Sequence, residues 1–64
     1  MKIDGQKLSD SMADKGIFAK DLCKRVKLNE AELKKILSDD GDIDMKTISR
    51  IAYVLNVSIQ DLEL

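Results

Sequence analysis

Apolar positions along the chain recur at helical spacing throughout. Leu8 and Met12 share a face, and Asp4 stands ahead of them as an N-cap, which predicts a first helix over about residues 5–14 ended by Gly16. Leu22, Cys23 and Val26 form an i, i+1, i+4 cluster, so a second helix covers about 19–26. Leu28, Leu33 and Ile36 form the next cluster. Asn29 is placed to cap a third helix of about 30–37, with Glu32 at the capping-box position. The chain has no proline, so glycine and polar residues mark the breaks. The segment Ser38-Asp39-Asp40-Gly41-Asp42 reads as a loop, and Ile43 beside it as a buried plug. Asp44 caps a fourth helix of about 45–55 carrying Met45, Ile48, Ile51, Ala52 and Leu55. Asn56 suits a left-handed stop, and Ser58 caps a last short helix containing Ile59 and Leu62. The pattern predicts one compact, all-α, five-helix domain over residues 1–64. Its expected core is Leu8, Leu22, Val26, Leu33, Ile36, Ile43, Ile48, Ala52, Leu55 and Leu62.

Composition narrows the function. The 64 residues suffice for one small core, and 44% apolar with 36% charged residues is a globular composition. Eleven basic and twelve acidic side chains leave a net charge of −1, so no overall basic field draws in nucleic acid. A single cysteine and no histidine leave no disulfide framework and almost no zinc site. No apolar run has membrane-spanning length and no signal peptide is visible, so a cytoplasmic protein without a membrane partner is expected. Phe18 and Tyr53 are the only aromatics, too few for a single-strand stacking platform. Without histidine or a glycine-rich phosphate loop no nucleophile–base pair assembles. Neither an enzyme, a cofactor nor a small-molecule substrate is expected.

The stretch from Gly16 to Ile36 has the spacing of two short helices joined by a tight turn, the unit helix-turn-helix proteins use on DNA. The segment Lys15-Gly16-Ile17, the step Leu22-Cys23-x-x-Val26, the step Leu33-x-x-Ile36 and the ending Ile51-Ala52-x-x-Leu55-Asn56-Val57-Ser58-Ile59-x-x-Leu62 carry a family likeness. From about Leu8 to Leu62 the chain resembles the phage-repressor and Cro-type (XRE-type) helix-turn-helix domain, in its minimal single-domain form. The tail VLNVSIQDL is similar to the family's ALGVSLDEL. The resemblance implies a lambda-repressor-like fold and a small transcriptional regulator that binds double-stranded DNA through its third helix in the major groove.

Carried over by position, the resemblance makes Asn29, Glu30, Ala31, Lys34 and Lys35 base-facing and Lys20, Lys24 and Lys27 phosphate-facing. Asn29 would pair with adenine, Lys35 would donate to guanine, and Glu30 would accept from cytosine N4. Four departures oppose this. Phe18 stands where the family has a Ser or Thr cap, and Ala19 where it has a phosphate-reaching Gln. Lys27 takes the place of the turn glycine, and Asp39 and Asp40 that of a basic or amide-bearing loop. Glu30 and Lys34 also have the spacing of an intrahelical ion pair, and lysines on short helices commonly form only a solvated face. The alternative is a helix-turn-helix domain that has lost DNA binding and acts through a protein partner.

Cys23 occupies a small packing position rather than a reactive one. The Asp39–Asp44 segment lacks the distal glutamate of a calcium loop and reads as solvated loop plus cap. The fourth helix is apolar over more of its circumference than one stripe requires, so Tyr53, Val54 and the terminal Leu64 are expected to supply a homodimer interface.

Overall fold

Polar side chains, Asp4, Asn29 and Asp44, open three of the four helices, and each helix stops where the backbone leaves the helical region. The structure, a computed structural model, describes residues 2–38 and 42–64. Helix α1 spans Gly5–Lys15, α2 Ala19–Val26, α3 Glu30–Leu37 and α4 Met45–Leu55. The closing element expected as a fifth helix is one 3-10 turn, Ile59–Asp61. Three residues are too few for an α-helical turn to close on itself, so four helices and a turn replace five helices.

The caps fall where the sequence puts them. Asp4 accepts from the Gln6 and Lys7 backbone N–H groups, and Asp44 from that of Thr47 at 3.2 Å. Ser58 and Asp61 form a reciprocal capping box around the closing turn. Gly16, Lys27 and Asn56 end α1, α2 and α4 in the left-handed conformation. Phe18 precedes α2 without a side-chain cap bond and is exposed.

All ten residues of the expected core are buried, joined by Ile3, Met12, Cys23 and Ile51. Ile3 was not among those expected. Its segment forms isolated antiparallel bridges, Lys2 to Asp42 and Ile3 to Glu63. Asp4 N–H donates to Leu62 O at 2.9 Å, Leu64 N–H to Lys2 O at 3.2 Å, and Lys7 Nζ to Glu63 O at 3.0 Å. The two ends of the chain thus clasp each other, and the clasp seats Ile3 in the core. Met45 is a correction of the opposite kind: expected with the α4 stripe, it is exposed. It lies at the first residue of α4 and overhangs the packed interface that begins at Ile48.

Helix α2 packs against both α3 and α4, while α1 packs against α3 and α4. At Gly5 the start of α1 meets the end of α3 so closely that a Cβ there would collide with the Leu37 carbonyl oxygen and lie 2.9 Å from Ile36 O. The orientation of α3 is therefore set from two sides, by α2 and by the first turn of α1.

Candidate nucleic-acid interface

Leu33 and Ile36 are buried, so α3 is pinned by one stripe and turns the rest of its surface outward. Asn29, Glu30, Ala31, Lys34 and Lys35 are all exposed on it. Its charges are ordered along the axis: Glu30 and Glu32 in the first turn, Lys34 and Lys35 in the last. This order complements the helix macrodipole, each charge contributing about 0.3–1 kcal/mol at exposed sites. For an eight-residue helix that contribution matters. It also makes one end of the outward face acidic and the other basic.

The cap of α3 is tighter than a backbone-only cap. Asn29 Oδ1 accepts from the Glu32 N–H at 2.7 Å, and Asn29 Nδ2 donates to Glu32 Oε1 at 2.7 Å. The expected capping box would have turned Glu32 back onto the Asn29 backbone N–H; the carboxylate meets the side-chain amide instead. One lone pair and one N–H of the Asn29 amide are thereby engaged, so a bidentate adenine contact would have to share the amide with the cap. At the other end the Ser38 hydroxyl donates to Lys35 O at 3.0 Å.

The lysines do not form one continuous strip. A shallow groove between α2 and α3 brings Lys20 and Lys24 together with Asn29 and Glu30. A second, beside the start of α2, is lined by Ala19, Glu30, Ala31 and Lys34. Lys35 lines a third groove, shared with Glu32, Asp42 and Asp44. Lys27 faces away from α3 and lines a hollow against α4 with Arg25 and Arg50. Asp39 and Asp40, the acidic loop residues, lie outside the described residues.

Cys23 is buried, as its packing position requires. Burial pushes its thiol above the ordinary value, and the charges of Glu30 and Glu32 push the same way, so the reactive thiolate is disfavoured. Asp44 caps α4, as expected, by accepting from the Thr47 N–H. Of the residues expected at a dimer interface, Tyr53 and Leu64 are exposed, while Val54 is half-buried against the core. Arg25 and Arg50 were not singled out from the sequence. The lack of any acidic residue along Met45–Leu55 was the available signal, but their adjacency comes only from the packing of α2 on α4. No helix among the described residues is long and apolar enough to cross a membrane.

No curated protein matches the chain. Among solved structures it is similar to the restriction-modification controller protein C.AhdI from Aeromonas hydrophila, with a TM-score of 0.80. The identity is 18%, and the match covers 89% of this chain and 86% of that one, a likeness of fold. The sequence pattern of the Cro/C1-type HTH DNA-binding domain matches residues 7–63, which include both helices of the helix-turn-helix unit, their turn and most of the core. On that match the chain belongs to the family of Cro/C1-type helix-turn-helix DNA-binding domains.

Proposed function

We propose that the chain is a transcriptional regulator that sets α3 in the major groove of duplex DNA, with Lys20, Lys24 and Lys34 on the phosphates. The observation that carries this reading is the outward face of α3, held by its buried Leu33–Ile36 stripe beside the exposed lysines of α2. Glu30 and Ala31 are the residues nearest the tip of the helix, suited to cytosine N4 and to a thymine methyl. Asn29 serves as the cap that fixes that tip. Lys35, set among carboxylates, contributes less to phosphate attraction than its position along the helix implies. Similarity to a restriction-modification controller protein agrees with a regulatory role.

With net charge −1 the attraction is local, so binding should be weak and steeply dependent on salt. Anisotropy titration of a labelled random duplex over a salt series tests it. Lys24→Ala and Lys34→Ala should each weaken binding to every sequence and flatten the salt slope by about one unit. Glu30→Gln should strengthen binding to random duplex by removing a charge that repels phosphate, and should lessen any preference for cytosine at the base Glu30 meets. Absence of binding to any duplex at low salt would overturn the proposal.

A further inference from the structure

The hollow between the end of α2 and the outer side of α4 has a chemistry unlike the rest of the surface. It is lined by Arg25, Lys27, Ser49, Arg50, Tyr53 and Val54. Three cations and an aromatic ring meet there without a carboxylate among the described residues, in a chain with more acidic than basic side chains. Helix α4 has no acidic residue from Met45 to Leu55, and its Lys46 and Arg50 are both exposed one turn apart. Tyr53 is 87% exposed on this rigid helix. Val54 beside it is half-buried, so the hollow has an apolar floor next to a cationic rim.

We propose that this hollow docks an acidic segment of a partner protein. Its carboxylates meet Arg25, Lys27 and Arg50, and one apolar side chain seats against Tyr53 and Val54. Charge complementarity selects the class: a guanidinium fork pairs bidentately with a carboxylate, and an exposed tyrosine beside such a pair is a common energetic anchor. A DNA backbone would satisfy the cations but leave Tyr53 and Val54 unused, and α3 contributes no residue to the hollow. A second copy of the chain fits less well, because a two-fold axis through Tyr53 sets the same cations against each other.

Anisotropy of a short labelled peptide rich in Glu and Asp around a central Leu-Phe pair tests the proposal on the full chain. Binding should occur and weaken with salt, and a matched peptide with Ser in place of Leu-Phe should bind markedly less. Arg50→Glu should weaken peptide binding by about tenfold or more. Tyr53→Ala should weaken it several-fold. Both positions are exposed, so the melting temperature should not move, and retention of duplex DNA should be unchanged. Failure of the acidic peptide to bind, or equal binding of the Ser-substituted peptide, overturns the proposal. So does an Arg50→Glu variant that loses DNA affinity instead, which would assign the hollow to the DNA backbone. A dimer in sedimentation equilibrium that Tyr53→Ala dissociates would assign it to a second copy.

Discussion

Lys27 is a side chain in a conformation that suits glycine. It ends α2 at φ 59 and ψ 42, left-handed values that cost a residue with a Cβ about 1–2 kcal/mol. Glycine there would remove the strain but widen the unfolded ensemble, which takes back about 0.4–1 kcal/mol. The first effect is the larger. Lys27→Gly should therefore raise the melting temperature by several degrees, at roughly 4–8 °C per kcal/mol in a domain of this size. A fall in calorimetry would show that the Lys27 stem contributes more by packing than the strain costs. Gly16, left-handed at φ 68 with open space where a Cβ would stand, shows the ordinary solution to the same turn.

Capping decides the behaviour of the helices as elements. Thr47 holds the Asp44 carboxyl below the usual range, through its hydroxyl first and its backbone N–H second. A carboxylate whose folded value is depressed stabilises the fold above its unfolded value, about 4, and loses that contribution as pH falls through the folded value. The melting temperature should thus drop on acidification below about pH 4. Asn caps a helix as well as Asp does, so Asp44→Asn should change little at neutral pH and shallow the acid limb. A melting-temperature profile of equal steepness in both proteins would show that other groups control it. The junction of α1 with α3 gives a second test. Alanine is a better helix former than glycine by about 0.5–1 kcal/mol, but a Cβ at Gly5 strikes the Leu37 backbone, which has no rotamer to yield. Overpacking of this kind costs about 1–3 kcal/mol, so Gly5→Ala should be net destabilising. DNA affinity should fall with it, because α3 must shift to make room. An unchanged melting temperature would contradict the close approach.

The whole molecule is one core of fourteen buried side chains with no buried polar residue among those described. Its Cα radius of gyration is 10.0 Å, close to the ~11 Å expected for a compact chain of this length. Leu33 is 1% exposed at the centre of the α3 stripe. Leu33→Ala should cost about 2–5 kcal/mol, a large fraction of the stability of a domain this small. Chemical denaturation should show that loss, and duplex binding should disappear with it, since α3 has no other buried anchor than Ile36. A variant that melts like the parent would mean that the core is assigned wrongly.

Segment by segment, the sequence specifies the limits of the four helices, their caps, the three left-handed stops and nearly the whole core, though not that the closing element is a 3-10 turn. These are local properties: a cap reaches two or three residues, and a stripe repeats every third or fourth, so each is written within one segment. Even the strain at Lys27 was legible, as a lysine in the place of a glycine. What distant segments do together is set by packing between them. It drew Ile3 into the core by clasping the chain's ends, because a short apolar residue outside any helix carries no periodic signal. It turned Glu32 onto the Asn29 amide, a choice between two partners equally near in sequence. It separated the lysines among different grooves and set Arg25 beside Arg50, because the angle at which α2 packs on α3 and α4 determines which exposed faces meet. That angle depends on how side chains from separate helices interlock, and no single segment encodes it.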